Sequence, residues 1–166
     1  MKSNTKGLVT TAVVAAIYAT LTLALGFISY GPIQFRIAEV MILLPFISSK
    51  YIVGLTLGCF IANIIGPYGV PDIVIGTLAT FISAYLVYLT SKLIKESKFA
   101  LIVAGIWPTV VNAVMVGFML NKFYGAPLIY AILEVGFGQF VVINIIGLPL
   151  FKILSSRYGN LLKSAF

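Results

Sequence analysis

Three observations in the sequence predict an all-α integral membrane protein with six transmembrane helices. First, 61% of the 166 residues are hydrophobic and only 9% are charged, too few charges to cover the helices of a water-soluble domain of this length. Second, the apolar runs are long and uninterrupted, which favours membrane-spanning helices over the alternating strands of a barrel. Third, basic residues collect on alternate connections between the runs, as in a multi-pass protein. We expect one domain, residues 1–166.

Charged residues and turn signals set the limits of each predicted span. Residues 7–35 contain no charge, and the turn GPYGVPD at 66–72 closes the third run. Because an α-helix needs about 20 residues to cross a bilayer, the second and third runs are short for a span, and the second could be only partly embedded. The predicted spans are 8–28, 37–49, 51–65, 73–91, 99–120 and 128–154.

The distribution of basic residues predicts the orientation of the spans. With six spans and both termini in the cytoplasm, nine of the eleven Lys and Arg residues lie inside, whereas only Arg36 and Lys122 lie outside. Omitting the second span would move Lys50 and the basic loop 92–98 to the outside. Because orientation accounts for most of the net charge of +7, the sequence gives no reason to expect a nucleic-acid partner.

Several kinds of chemistry are excluded by residues that the sequence lacks. There is no histidine, and Cys59 is the only cysteine, so neither a zinc site nor a histidine-assisted nucleophile is available. No G-x-x-x-x-G-K-[ST] phosphate loop occurs. We therefore expect no metal, no cofactor and no enzymatic activity, and we expect Cys59 to be a small buried hydrophobic residue. The composition is that of a binding unit that works with other chains.

Three of the four acidic residues are predicted to lie near the outer ends of their helices: Glu39, Asp72 and Glu134. Arg36 and Glu39, three residues apart, could simply neutralise one another at the membrane interface. Asp72 follows a proline and could cap a helix. Glu134 is harder to explain structurally, because a carboxylate inside a span costs about 3 kcal/mol unless it faces a cavity or a partner such as Lys122.

Amides and aromatic residues lie on or beside the same predicted spans. Gln139 and Asn144 follow Glu134 at five-residue intervals, each turned by about 140° from the last on an α-helix. At most two of the three can face one cavity unless the helix is irregular, which Gly136 or Gly138 would permit. Helix–helix hydrogen bonding is the simpler interpretation of Asn144. Together, carboxylates, amides and aromatics suit a planar, positively charged solute. Asn112 is a further deep amide, on the fifth span. Most of the aromatic residues suit an interface belt, and one or two could instead stack on a flat ring; they are Tyr30, Phe35, Tyr68, Tyr124, Tyr130 and, deeper, Trp107.

Three blocks of sequence carry a resemblance to a known family. They are YGPIQFRIAEVMILLPF (30–46), LGCFIANIIGPYGVPDIVIGTLAT (57–80) and LEVGFGQFVVINIIGLPL (133–150). Taken together, they resemble the queuosine-precursor (QueT-type) family of substrate-binding S components of energy-coupling-factor (ECF) transporters. The resemblance runs the whole length of the chain and implies an S-component-like bundle of six helices in the bacterial plasma membrane.

The resemblance also implies a function and partners. Such a subunit would capture the queuosine precursor 7-aminomethyl-7-deazaguanine from outside for ATP-driven uptake. A transmembrane coupling protein and two cytoplasmic ATPases would supply the transport power that this chain lacks. In this family an alanine pair on the first span, four residues apart, docks the coupling protein by close helix packing. The candidate docking residues are Ala12 with Ala16 and Ala15 with Ala19.

Roles at the binding site follow from the resemblance and from the chemistry of this ligand. Glu134 is expected to accept the N–H donors of the deazaguanine edge, and Asp72 or Glu39 to pair with the aminomethyl cation. Arg36 would orient Glu39 or donate to the ring carbonyl, and the loop 29–38 would act as a lid. Asn112 and Gln139 would complete the polar edge, while Phe35, Tyr68 or Trp107 would stack on the ring.

The alternative is a stand-alone proton-coupled transporter or channel for a small cationic or purine-like solute. It would move protons through Glu134, but the cytoplasmic halves of the predicted spans contain no carboxylate to continue the path. A membrane enzyme has even less support, because no nucleophile–base pair or metal set is present.

Overall fold

The computed structural model describes residues 2–94, 97 and 99–165, and this part of the chain is a helical bundle without a strand. The predicted all-α class is therefore confirmed for the described residues. Lys95 and Lys98 of the predicted basic loop lie outside them. The main helices are α1 (Lys2–Ala24), α2 (Ile37–Phe46), α3 (Tyr51–Ile65), α4 (Gly69–Leu93), α5 (Ala100–Tyr124) and α6 (Leu128–Ser164).

Four helices in the described residues are long and apolar enough to cross a membrane, by length and composition. They are Thr5–Ala24 within α1, and the whole of α4, α5 and α6. The other two, α2 and α3, are shorter apolar helices, in agreement with the short second and third predicted spans. The sixth helix continues to Ser164, beyond its predicted end at residue 154, because residues 155–164 contain no proline to stop it.

The second helix reaches from one end of the bundle to the other although it has only ten residues. It is a 3₁₀ helix, which rises about 2.0 Å per residue instead of about 1.5 Å, so that ten residues extend about 20 Å. Arg36, which precedes it, lies 3.5 Å from Asp72 near the start of α4. Phe46, its last residue, contacts Phe151 in the second half of α6, with ring centroids 6.3 Å apart.

The two ends of the bundle hold different parts of the chain. At the terminal end, Lys6 Nζ donates to the carbonyl of Ser164 at 2.7 Å, and the Tyr51 hydroxyl donates to the carbonyl of Leu162 at 2.8 Å. The first turns of α1, the start of α3 and the end of α6 therefore meet there. The opposite end, which we name the site end, holds the connections at 30–36, 66–68 and 125–127.

Two of the long helices contain π-helical stretches. Asp72–Gly76 lies near the start of α4, and Phe140–Gly147 lies in the middle of α6. A π-helical turn holds an additional residue, so it changes which side chains face the interior. A helix irregularity is therefore present in α6, but it begins directly after Gln139 and not at Gly136 or Gly138, where the sequence would have permitted one.

Asn144 joins α6 to α5 by two hydrogen bonds. Its Nδ2 donates to the carbonyl of Gly105 at 3.2 Å and to Thr109 Oγ1 at 3.0 Å. A Cβ at position 105 would lie only 2.6 Å from Asn144 Oδ1, so the amide fits here because residue 105 is a glycine. These contacts confirm the interpretation of Asn144 as a residue that bonds between helices.

Candidate substrate-binding site

A group of polar side chains is buried near the site end. None is more than 4% exposed, although groups of this kind are rarely buried without partners. They come from the connection before α2, from α2 and α3, from the start of α4 and from the middle of α6. We name the group the polar cluster; it consists of Gln34, Arg36, Glu39, Asn63, Asp72 and Gln139.

Arg36 links the connection before α2 to α4. Its Nη2 lies 3.5 Å from Asp72 Oδ2, and both side chains are buried. Neither structural alternative for these residues holds. Arg36 forms its ion pair with Asp72 inside the bundle instead of neutralising Glu39 at the surface. The Asp72 carboxylate makes no capping hydrogen bond, because neither of its oxygens has a hydrogen-bond partner among the described residues.

Glu39 is held by Tyr18 of α1. The Tyr18 hydroxyl donates to Glu39 Oε1, and the two residues are 0% and 1% exposed. The second carboxylate oxygen, Oε2, has no hydrogen-bond partner in the part of the chain that the structure describes. One oxygen of Glu39 is therefore fixed, and the other is available to a donor on a ligand.

Cys59 and Asn63 lie one turn apart on α3 and contact the same cluster. Asn63 Nδ2 donates to the backbone carbonyl of Asp72 at 2.9 Å. Cys59 Sγ lies 3.6 Å from Arg36 Nη1 and accepts a hydrogen bond from the Thr80 hydroxyl at 3.2 Å. Cys59 is buried, as predicted, but its thiol also contacts polar groups, which the sequence did not indicate.

The polar cluster contains more polar atoms than it pairs. Leaving such an atom buried costs about 1–3 kcal/mol, and more for a charged group, so each is a potential ligand contact. One guanidinium and two carboxylates give the cluster a net charge of −1 when all three are ionised. Within the described residues, the atoms without a hydrogen-bond partner are both carboxylate oxygens of Asp72, Glu39 Oε2, Arg36 Nε and Nη2, Asn63 Oδ1, Gln34 Nε2 and Gln139 Oε1.

Gly76 lies one turn after Asp72, and the Asp72 carboxylate occupies the space where a side chain at position 76 would be. A Cβ at this position would lie 2.1 Å from Asp72 Oδ1 and 2.9 Å from Asn63 Nδ2. We therefore expect Gly76→Ala to displace the carboxylate and to lower the free energy of unfolding by about 1–3 kcal/mol, the usual cost of overpacking. Denaturant unfolding of the detergent-solubilised chain measures this change.

Gly159→Ala is the matched control for this substitution. A Cβ at position 159 meets no atom within 4 Å, and the residue lies inside α6. The control is expected to be neutral or to stabilise the chain by up to about 1 kcal/mol, because alanine has the higher helix propensity. Equal effects of the two substitutions would contradict the close contact at Gly76.

Three tyrosines form a row at the site end, beside Arg36. The Tyr30 hydroxyl donates to the carbonyl of Ala62 at 2.7 Å. The Tyr68 hydroxyl donates to the Tyr30 carbonyl at 2.9 Å, and the Tyr124 hydroxyl donates to the Tyr68 carbonyl. The guanidinium carbon of Arg36 lies 5.5 Å from the Tyr30 ring centroid. Burial raises the pKa of Tyr30 and of Tyr68, so both hydroxyls remain protonated donors at neutral pH.

The connection before α2 packs closely against a glycine of α6. A Cβ at Gly138 would lie 2.0 Å from the carbonyl oxygen of Ile33 and 3.2 Å from that of Gln34. Gln34 has a φ of 53°, in the left-handed region that residues other than glycine seldom adopt. Phe35 contacts Phe137 of α6, with ring centroids 6.1 Å apart. The loop predicted to be a lid is thus a defined segment that lies on α6.

Two other predicted site residues, Asn112 and Glu134, are not members of the polar cluster. Asn112 is buried, and its Nδ2 donates to the carbonyl of Pro108 in its own helix at 3.0 Å. Glu134 is exposed and lies one turn before Gly138 on α6. Of the three carboxylates that were predicted near the outer ends of their helices, two, Glu39 and Asp72, are buried. The third, Glu134, lies on the surface of the bundle.

Trp107 lies nearer the terminal end than the other predicted site residues. Its Nε1 donates to Thr90 Oγ1 on α4 at 3.0 Å, and the side chain is 39% exposed. Thr80, on the same helix, contacts Cys59 beside the cluster. Thr90 lies ten residues after Thr80, which is about 15 Å along an α-helix. The structure does not bring Trp107 to the polar cluster.

The two predicted docking pairs lie on different faces of α1. Ala15 and Ala19 are buried, and a Cβ at Gly58 of α3 would lie 2.8 Å from the Ala15 carbonyl, so this pair packs α1 against α3. Ala12 and Ala16 are exposed. Of the two pairs, only Ala12 with Ala16 is accessible to another helix.

Sequence reasoning did not single out Tyr18, Gln34 or Asn63. For Asn63 a signal existed, because it precedes Asp72 by nine residues across a turn, which brings the end of one helix beside the start of the next. Tyr18 and Gln34 gave no such signal. A tyrosine in an apolar span commonly lies at the interface, and the backbone conformation of Gln34 is not encoded in a recognisable motif.

Comparison with known proteins agrees with this architecture. The chain is 42% identical over 100 residues to the Queuosine precursor transporter QueT of Lactococcus lactis subsp. cremoris (strain MG1363), an alignment that covers 59% of each chain. The chain thus spans about three fifths of the length of this curated relative. No solved structure is significantly similar to the chain. The QueT transporter family model, by contrast, matches residues 8–156. Because this match covers most of its length, the chain belongs to the QueT transporter family.

Proposed function

We propose that the chain is the membrane-embedded substrate-binding subunit of an energy-coupling-factor (ECF) transporter and captures 7-aminomethyl-7-deazaguanine from outside the cell. The observation that carries the proposal is the polar cluster, which is buried, has a net charge of −1 when its three ionisable groups are charged, and leaves several donors and acceptors without hydrogen bonds. The relative from Lactococcus lactis is described as a queuosine precursor transporter, and that description supports this class of ligand.

The ligand's aminomethyl group is a cation, and Asp72 is the residue we assign to it. Both Asp72 oxygens lack hydrogen-bond partners among the described residues, and the nearest cation, Arg36, lies at 3.5 Å, which is longer than a hydrogen bond. An ammonium group between the helices would give this buried carboxylate the short charge-assisted hydrogen bonds that it lacks.

The deazaguanine ring offers N–H donors and a carbonyl, and the cluster has groups for both. Glu39 Oε2 would accept from the ring's N–H groups, while Oε1 is held by Tyr18. Arg36 Nε would donate to the ring carbonyl. The sequence favoured Glu134 as the acceptor of these N–H groups, but Glu134 is exposed. Glu39 is buried, so we assign the N–H groups to Glu39 instead. Gln139 and Asn112 remain candidates for the polar edge, and we add Gln34, which is buried in the cluster. Phe35 and Tyr68 remain candidates for stacking.

The partners in this proposal are a transmembrane coupling protein and two cytoplasmic ATPases. The exposed pair Ala12 and Ala16 would receive a helix of the coupling protein, since small side chains allow close approach. Six crossings are supported by the extended geometry of α2, which reaches from Arg36 near the site end to Phe46 near the terminal end. The distribution of basic residues supports an orientation with both termini inside. The site end would then face outward from the bacterial plasma membrane.

Co-purification and uptake together test the role of a subunit. Affinity purification of the tagged chain from cells that also produce a coupling protein and two ATPases is expected to yield all four chains. Proteoliposomes are expected to accumulate 7-aminomethyl-7-deazaguanine with ATP only when all are present. Accumulation by the lone chain, driven by a proton gradient, would overturn the proposal and support a stand-alone proton-coupled transporter.

A further inference from the structure

The terminal end contains a cavity that substrate capture does not use. It has a volume of about 580 Å³ and lies between the end of α2, the start of α5 and the last turns of α6. This volume is within the range of about 300–1,000 Å³ that is typical of small-molecule sites. Its apolar wall includes Phe46, Leu101 and Phe151.

The opposite wall of this cavity is basic and polar. Asn160 and Lys163 lie three residues apart on one face of α6, and Arg157 lies three residues before Asn160. None of the lining residues is acidic. The two cations and the amide NH2 are hydrogen-bond donors, which suit the oxygens of a phosphate, and no acidic residue on the described lining neutralises the two charges.

The surroundings of the cavity are those of a membrane interface. The last part of α6 exposes large apolar side chains beside its basic residues, a pattern typical of helices that lie at the boundary between headgroups and acyl chains. In the orientation proposed above, this end lies at the cytoplasmic leaflet, which carries anionic lipids. The exposed apolar residues are Leu150, Ile153, Leu154, Tyr158 and Leu161.

We infer that this cavity binds the headgroup of an anionic phospholipid. Arg157 and Lys163 pair with the phosphate, and Asn160 donates to one of its oxygens. Phe46 and Phe151 contact the start of an acyl chain, which continues along the exposed apolar side chains of α6. Ser155 and Ser156 also line the cavity, and each donates its hydroxyl proton to a backbone carbonyl one turn earlier. Their oxygens therefore act toward the headgroup as acceptors, for its hydroxyl groups. The inference is independent of which substrate the site end binds.

Native mass spectrometry of the full chain in detergent tests this inference. The probes are phosphatidylglycerol and phosphatidylcholine of the same acyl composition, and glycerol 1-phosphate as a free phosphate. The wild-type chain is expected to retain one phosphatidylglycerol with about thirtyfold preference over phosphatidylcholine, since each basic residue contributes on the order of fivefold. The double variant Arg157→Gln, Lys163→Gln is expected to lose that preference.

The matched control is the double variant Lys122→Gln, Lys152→Gln, which removes the same charge from exposed positions that do not line the cavity. It is expected to keep the preference of the wild-type chain. Absence of a preference in the wild-type chain, or equal loss in both double variants, would overturn the site. Complete displacement of the lipid by millimolar glycerol 1-phosphate would show that the cavity binds a soluble phosphate, and would also overturn the inference.

Discussion

Asp72→Asn is expected to weaken the binding of 7-aminomethyl-7-deazaguanine by about one hundredfold, because it removes a charge-assisted contact inside a buried site. The substitution preserves the shape of the side chain but leaves the ligand's cation without its buried counter-charge. Isothermal titration calorimetry of the detergent-purified chain measures the change. The same variant is expected to bind the neutral analogue 7-cyano-7-deazaguanine within about threefold of the wild-type affinity, because that ligand has no cation to pair.

Glu134→Gln is the control for this prediction. It also removes one carboxylate from the site-end half of the chain, but Glu134 is exposed, where solvent and salt screen its charge. We expect its effect on affinity to be about threefold or less. A large loss with Glu134→Gln and a small one with Asp72→Asn would contradict the assignment to the buried cluster and restore Glu134 as the principal ligand-binding carboxylate.

Gly138→Ala is expected to weaken ligand binding by about thirtyfold. The added Cβ would lie 2.0 Å from the Ile33 carbonyl oxygen, a distance that backbone atoms cannot tolerate, so the connection at 31–36 must move away from α6. That connection carries Gln34 and Arg36, two members of the polar cluster. The displacement should also lower the thermal unfolding midpoint, which can be followed by intrinsic fluorescence in the same samples.

Gly136→Ala separates this contact from a general effect of alanine on α6. Its Cβ would meet only the Cβ of Ala113, at 3.2 Å, which a shift of a few tenths of an ångström between α6 and α5 can relieve. We expect affinity within about threefold of the wild type. If Gly138→Ala bound the ligand as tightly as Gly136→Ala does, the position of the loop on α6 would not matter for binding.

The helices were predictable from sequence wherever charges or turn residues delimit them. The third predicted span, 51–65, coincides with Tyr51–Ile65, because Lys50 precedes it and a Gly-Pro turn follows it. The first span was predicted to end at residue 28, whereas α1 ends at Ala24. The sequence there is uncharged and apolar, and its one stop signal is Gly26, where a separate single turn begins. A lone glycine within an apolar run does not by itself fix the end of a helix.

The candidate site was only partly predictable, because its key contacts join residues that are distant in sequence. Arg36, Glu39 and Asp72 were predicted to belong to one binding site, but how they pair depends on where α2 enters the bundle. That position follows from a 3₁₀ geometry that no residue pattern signals. Likewise, helical spacing alone did not show that Glu134 is exposed while Gln139, five residues later, is buried.

The proposed selection of a cationic ligand depends on the charge of the polar cluster, and one pair of titrations of the wild-type chain tests it most directly. Calorimetry with 7-aminomethyl-7-deazaguanine and with 7-cyano-7-deazaguanine compares two ligands that share a ring and differ in one cation. A cluster with a net charge of −1 predicts that the aminomethyl compound binds at least about tenfold more tightly. Equal affinities, or tighter binding of the neutral compound, would contradict the claim that Glu39 and Asp72 select a cationic solute.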